Sequence, residues 1–205
     1  DVFRLYLMFM GPYEQGGDWS DKGITGIERF VQRVYDLFYN FKNIDKEFKS
    51  KNKYDLNELN QFEKSLYQKI NQTIVKCDKD INEFRFNTAI ASLMELLNEL
   101  TKNIKEYKKE IILYSLERFA LLLSPLAPHL GEECWNLLGK EKSIFENPFW
   151  FEVDEKALIK EKVNIAIQIN GKLRATIEAP IDSDEEVIKS LAFETDGVKR
   201  HIDGK

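Results

Sequence analysis

Cysteine and histidine are scarce in this chain: its 205 residues hold two of each. Cys77 and Cys134 lie far apart, and neither has a second cysteine near it. That excludes a Cys–His zinc framework and favours the reduced thiols of a cytoplasmic protein. Histidine occurs only at 129 and 201, and no catalytic constellation appears around either. His129 does sit with Glu132 and Glu133 in PHLGEECW. A zinc-protease helix needs two histidines on adjacent turns, so these three are assigned structural roles. No catalytic residue and no metal ligand is assigned anywhere in the chain.

Long apolar runs are also missing. The most apolar stretch, ILYSLERFALLLSPLAPHL at 112–130, contains Glu117, Arg118, Pro125 and Pro128. Each of the two charges would cost roughly 2–3 kcal/mol near a bilayer centre. No membrane partner is therefore expected, and no secretion signal is visible. A basic excess is lacking as well. The net charge is −5, with 20 Lys+Arg against 21 Asp+Glu in residues 1–140 and 10 against 14 in residues 141–205. Tight autonomous binding to nucleic acid needs clustered cations that displace counterions, so any RNA contact must use local patches.

What is present is helical periodicity. Ile27, Phe30, Val34, Leu37 and Phe41 follow 3-4-3-4 spacing and make one apolar stripe. Asp55, with Glu58 three residues on, predicts the start of a second helix. Its stripe is Leu59, Phe62, Leu66, Ile70, Ile74, Cys77, Ile81 and Phe84. A third stripe is Phe86, Ile90, Leu93, Leu97, Leu100 and Ile104, and a fourth is Ile112, Leu116, Phe119, Leu123 and Leu126. Four such stripes imply a mainly α fold, an antiparallel helical bundle over residues 1–150. A shorter helix should follow, with Pro128 in its first turn and Gly139 past its end. Upstream, residues 1–10 read as a helix ended by Gly11-Pro12, with Trp19 buried at the junction that follows. The chain opens on Asp1 rather than Met and reads as the continuation of a longer protein.

The period changes from 3.6 to 2 in the last third. VNIAIQINGKLRATIEAP at 163–180 alternates around Asn170-Gly171 and predicts a β-hairpin. A two-residue loop would set Ile167 opposite Arg174. A three-residue loop of Ile169, Asn170 and Gly171 would instead pair Ile167 with Leu173, Ile165 with Ala175 and Val163 with Ile177. The second register keeps apolar residues together and is the expected one, with Gly171 in a left-handed conformation. Residues 182–184 should cap one helix over about 184–193, whose Val187, Ile188 and Leu191 cover the hairpin. Residues 151–205 thus read as a small, incomplete α+β domain of one hairpin and one helix.

Two groups of basic residues are candidates for binding. Arg29 and Arg33 are four apart and share a helix face, where guanidinium forks suit phosphate oxygens. Pairing with carboxylates such as Asp36 is the simpler alternative. Lys172 and Arg174 near the hairpin turn, with Lys199 and Arg200, form the second group, to which His201 and Lys205 could add. The lysine-rich stretches at 42–53 and 102–110 read as solvated surface.

Some of these segments resemble a known family. FRLYLMFMGPYEQ with WSDKGITGIERFVQRV resembles the segment after the signature lysine loop of bacterial leucyl-tRNA synthetases. FNTAIASLMELLNEL and LLLSPLAPHLGEECW resemble the helical bundle shared by class I synthetases, those for isoleucine, valine and methionine included. The hairpin segment is similar to the appended C-terminal domain of the leucyl enzymes. The resemblance implies a leucine–tRNA ligase as the parent enzyme, using ATP and Mg, with tRNA(Leu) and the remaining domains of the same polypeptide as partners. A monomer is expected. The family's His-Ile-Gly-His and Lys-Met-Ser-Lys-Ser motifs have no counterpart in the sequence, so the 205 residues alone are expected to be inactive and to hold no cofactor. In this reading Arg29, Arg33, Lys172, Arg174, Lys199 and Arg200 would contact tRNA. Another class I synthetase, or a non-enzymatic helical scaffold for protein partners, are the alternatives.

Overall fold

A computed structural model describes residues 1–12, 14–146, 152–159, 162–169, 171–180 and 183–202. The chain forms two compact units, Asp1–Leu158 and Ile159–Lys205. The pattern of the sequence places this division at 150/151. The boundary lies later because the segment from Asp154 belongs to the first unit. Asp154 accepts a hydrogen bond from Tyr67 Oη (2.8 Å), and its N–H donates to Asn71 Oδ1 (2.9 Å).

The first unit is an antiparallel bundle of α1 (Val2–Phe9), α2 (Asp21–Asn40), the single turn α3 (Ile44–Glu47), α4 (Gln61–Asn82), α5 (Phe86–Lys102), α6 (Lys109–Leu123), α7 (Pro128–Leu137) and the short α8 (Glu155–Leu158). All four stripes supply core. Ile27, Phe30, Val34 and Leu37 are buried from α2, and Leu66, Ile70, Ile74 and Cys77 from α4. The stripes are less complete at their ends: Phe62 and Phe84 are exposed.

The expected start of α4 at Asp55 is wrong by five residues. Asp55 instead makes a turn, accepting from the N–H of Asn57 (2.9 Å). The capping box lies at Asn60 and Glu63, where Asn60 Oδ1 accepts from the Glu63 N–H (2.9 Å) and Glu63 Oε2 from the Asn60 N–H (3.0 Å). Two acid-at-third-position signals stand close together in this stretch. The second prevails because Glu63, fully buried, also accepts from the N–H of Lys108 (2.9 Å) and so ties α4 to the start of α6.

Helix α6 is the centre of the bundle. Every residue from Ile111 to Leu123 is buried, including Ser115, Glu117 and Arg118. A helix apolar nearly all round is one surrounded on all sides. Its two charges survive there because each has partners. Arg118 lies over the Tyr114 ring (3.3 Å to the centroid) and donates to the carbonyls of Tyr114 and Asn52. Glu117 receives Lys140 Nζ (2.5 Å) and Ser50 Oγ (2.5 Å).

Trp19 is not buried: it is 54% exposed. Its ring stands edge-on to Tyr6 at 4.9 Å, and its Nε1 donates to Asp21 Oδ1 (2.8 Å). Tyr6 takes the buried position, with its hydroxyl accepting from the Ser20 N–H (2.6 Å).

The turn from α4 to α5 is clamped by Asp80, which is 4% exposed. Its carboxylate accepts from Lys76 Nζ (2.8 Å), Thr88 Oγ1 (2.7 Å) and Arg85 Nε (3.0 Å). Burial alone would raise its pKa, but these three donors outweigh burial and hold the carboxyl below its ordinary value. The unfolded carboxyl titrates near 3.9. The stabilisation is therefore present above about pH 4 and lost as pH falls through the lower, folded value. Asp80→Asn is expected to lower stability by about 1–2 kcal/mol at pH 7, and the deficit should shrink towards pH 2. Urea denaturation at the two pH values measures both.

The second unit holds β1 (Lys162–Ile169), β2 (Lys172–Pro180), α9 (Glu185–Glu194) and α10 (Asp196–Ile202). The strands pair antiparallel, with Ile169 opposite Lys172, so the loop has two residues and the expected three-residue loop is overturned. Apolar pairing survives by another route. The register shifts beyond Gln168–Leu173, so that Arg174 is extra in β2 and Ile167 meets Ala175, Ile165 meets Ile177 and Val163 meets Ala179. A bulge inside the strand achieves what the longer turn was expected to do. Gly171 has φ +75°, the left-handed conformation expected of it, while Asn170 lies outside the described residues.

Helix α9 is capped as expected, Asp184 Oδ1 accepting from the Val187 N–H (2.9 Å). Asp182 of the anticipated cap lies outside the described residues. Of the three residues expected to cover the hairpin, Val187 is exposed while Ile188 and Leu191 are half-buried; on the two helices Ala192 and Val198 are buried. Val198 belongs to α10, a second helix the sequence reading did not anticipate.

Candidate nucleic-acid interface

Arg29 and Arg33 lie on the exposed face of α2. Neither pairs with a carboxylate among the described residues. Asp36 instead accepts from Gln32 Nε2 (2.8 Å). Arg33 Nη2 donates to Asn98 Oδ1 of α5 (2.8 Å), which fixes the guanidinium between two helices and leaves its other N–H groups available. A groove of about 400 Å³ adjoins it, lined by Arg33, Asp36, Leu37, Asn40, Phe41, Thr101 and Ile104.

The other side of Asn98 opens on a second groove, of about 450 Å³, between α4 and α5. Gln68, Lys69 and Gln72 line it from α4, and Glu95, Asn98 and Lys102 from α5. Positions 65, 68, 69 and 72, like 95, 98, 99 and 102, recur at helical spacing, so each set forms one polar stripe. Lys69 and Glu95 pair across the groove at 2.7 Å. Sequence reasoning missed this surface. The stripes are legible, but nothing local says that they face each other.

The lysine-rich stretches are partly paired and otherwise solvent-facing. Lys49 meets Asp45 (3.5 Å), Lys51 meets Glu58 (4.0 Å) and Lys108 meets Glu63 (3.6 Å). Lys109 lies over the Phe41 ring at 4.8 Å.

In the second unit the fold brings Arg174 and α10 together. Arg174 is the bulged residue, half-buried, with its Nε unpartnered. Gly197 of α10 packs so closely on it that a Cβ there would lie 2.1 Å from the Arg174 carbonyl oxygen. Lys172, Lys199 and Arg200 are exposed. Lys205 and the His201 side chain lie outside the described residues.

The segment PHLGEECW is structural where its contacts are described. Glu132 Oε2 accepts from Ser143 Oγ and the Ile144 N–H, both at 3.0 Å. His129 is exposed and sits 3.1 Å from Asp1 Oδ1, while the Leu130 N–H donates to Asp1 Oδ2 (2.7 Å). Among the described residues no group of three His, Cys, Asp or Glu could hold a metal ion. Burial pushes the Cys77 thiol up to about 12 and raises Cys134 as well. Neither is a thiolate nucleophile near neutral pH. No helix among the described residues is long and apolar enough to cross a membrane.

Residues 63–189 match the family described as the anticodon-binding domain of tRNA ligase. The whole chain aligns with the leucine–tRNA ligases of Petrotoga mobilis at 41% identity and Clostridium kluyveri at 43%, covering 25% of each. The chain thus spans about a quarter of the length of these relatives. Among solved structures, a LeuRS from Agrobacterium radiobacter K84 in a ternary complex with tRNA and LeuAMS superposes with a TM-score of 0.80 at 29% identity. That match covers 98% of this chain and 26% of the other.

Proposed function

We propose, from the premise that this chain belongs to the anticodon-binding domain family of tRNA ligases, that it is the tRNA-docking part of a leucine–tRNA ligase. The observation that carries the reading is similarity along the full chain to ligases of that one specificity. The chemistry of the surface supports it. Arg29 and Arg33 sit exposed on one face without carboxylate partners among the described residues, which suits contact with phosphates that position a folded RNA without reading its bases. Lys172, Arg174, Lys199 and Arg200 make a second contact in the small unit. The near-neutral charge suits a module whose binding is shared with other parts of a longer polypeptide, through effective concentration. Phe3 and Leu7, one turn apart on α1, are exposed, and Trp19 lies beside Phe3 at 6.2 Å between ring centroids; such parts would cover this apolar surface. Joining leucine to its tRNA, with the ATP and Mg this requires, belongs to that longer enzyme, and a cytoplasmic location and a monomeric state go with it.

Titrating the chain with a labelled tRNA(Leu) transcript at low salt tests the reading. Binding should weaken steeply with salt. The double variant Arg29→Ala, Arg33→Ala should lose about tenfold in affinity and about one to two units of the slope of log K against log salt. Unchanged affinity in that variant would remove the phosphate role of the pair.

A further inference from the structure

The groove between α4 and α5 is lined by polar side chains from both helices. Several other polar side chains of the same two helices are claimed by neighbours. Thr73 donates to the Lys69 carbonyl, Ser92 to that of Thr88 and Thr101 to that of Leu97, and Lys76 is held by Asp80. In the groove, Gln68 and Gln72 have side-chain amides with no partner among the described residues, although Gln68 is half-buried. Asn98 uses its Oδ1 on Arg33, and its NH2 group has no partner among the described residues. The charges there cancel, since Lys69 and Glu95 neutralise each other at 2.7 Å and Glu99 stands with Lys102 along the same stripe.

A groove of this kind does not follow a phosphate backbone, which needs uncompensated cations. Amides that offer both donor and acceptor suit a neutral group that is itself both. The ribose 2′-hydroxyl is such a group, and the wide, shallow minor groove of an RNA helix displays a row of them. Two facing helices present such amides on opposite walls, and Arg33 at the rim supplies the cation for an adjoining phosphate. We propose that the α4–α5 groove recognises RNA through 2′-hydroxyls, with Gln68, Gln72 and Asn98 as the contacting residues and Asn98 also positioning Arg33. The proposal rests on the tRNA-docking reading and adds the ribose as the recognised group. It also accounts for RNA docking by a chain with no basic excess.

The test pairs two ligands with two variants of the full chain. One ligand is the tRNA(Leu) transcript. The other carries 2′-fluoro sugars in its stems, which keep the A-form shape but cannot donate. Wild type should prefer the hydroxyl form by about tenfold, and Gln68→Ala, Gln72→Ala should weaken binding to that form by about tenfold while leaving the fluoro form and the salt slope unchanged. Both positions are helical and alanine keeps the helix, so circular dichroism should be unaltered. Equal binding of the two transcripts by wild type overturns the proposal, as does wild-type affinity in the glutamine variant. In either case, a weakened Arg29→Ala, Arg33→Ala variant would leave tRNA docking standing. Absence of any tRNA binding by wild type at low salt would end both.

Discussion

Substituting Lys140 with methionine is expected to lower the unfolding free energy by about 3 kcal/mol, the scale for removing one partner of a buried ion pair. Lys140 lies just past the end of α7, with its side chain 19% exposed. Its ammonium bridges Glu117 Oε1 of α6 (2.5 Å) and Asp45 Oδ1 of α3 (3.0 Å). Without it, two carboxylates remain near each other with little solvent to separate them. The site also closes the chain onto itself, since the N–H groups of Asn43 and Asp45 donate to the carbonyls of Leu137 (2.7 Å) and Leu138 (3.0 Å). Glu117→Leu added to Lys140→Met should recover part of the loss, because a buried pair replaced by apolar groups often costs little. Recovery in urea denaturation identifies the uncompensated carboxylate as the cause. No recovery would assign the loss to packing of the lysine stem.

The same cluster sets an alkaline limit. Burial disfavours the Lys140 ammonium, but the hydrogen bonds and charges of Glu117 and Asp45 prevail and raise its pKa above the ordinary lysine value. Its stabilisation is fully present below about pH 10.4, the unfolded lysine value, and is lost as pH rises through the folded one. Wild type should therefore lose stability more steeply than Lys140→Met above that point.

Gly131→Ala is the second large effect, with an expected loss of about 2 kcal/mol, from the range for overpacked cores. In an open helix this substitution would stabilise by about 1 kcal/mol. Here a Cβ would lie 2.8 Å from Ser124 Cα and 2.9 Å from Ser124 Cβ. The obstacle is backbone at the junction of α6 and α7, which cannot rotate away as a side-chain end could. The two helices must separate, and buried Leu126, Ala127 and Leu130 separate with them. A thermal transition at or above the wild-type temperature in Gly131→Ala would show that the junction yields without loss.

The motif PHLGEECW can now be read residue by residue. Pro128 opens α7, Gly131 permits the close approach to Ser124, and Cys134 is buried. Glu132 holds the following loop by accepting from Ser143 and Ile144. The metal-like look of the segment comes from residues that fasten a helix.

Much of the fold was legible because it is written locally. The apolar spacing in α2, α4, α5 and α6 follows the helical repeat, the Asn-Gly pair marks the hairpin and Asp184 caps α9 through its own third-neighbour N–H. The departures fall where two local signals compete or where the outcome depends on a distant partner. Asp55 and Asn60 both resemble caps, and the contact of Glu63 with Lys108, 45 positions away, goes with the second. Trp19 has the composition of a core residue, but Tyr6 occupies the buried place.

By itself the sequence determined where the four long helices and the hairpin lie, the start of α4 excepted, and which face of each of those helices is apolar. Periodicity carries that information because it depends only on 3.6 or 2 residues per repeat. Tertiary structure alone decided that α6 is enclosed on every side, that Arg33 is held by Asn98, that a bulge at Arg174 restores the apolar register, and that two amide-bearing stripes face across one groove. Each of these depends on which polar groups from separate elements come within hydrogen-bonding distance. That is set by how the helices pack, since the spacing along any one of them leaves its partners unspecified.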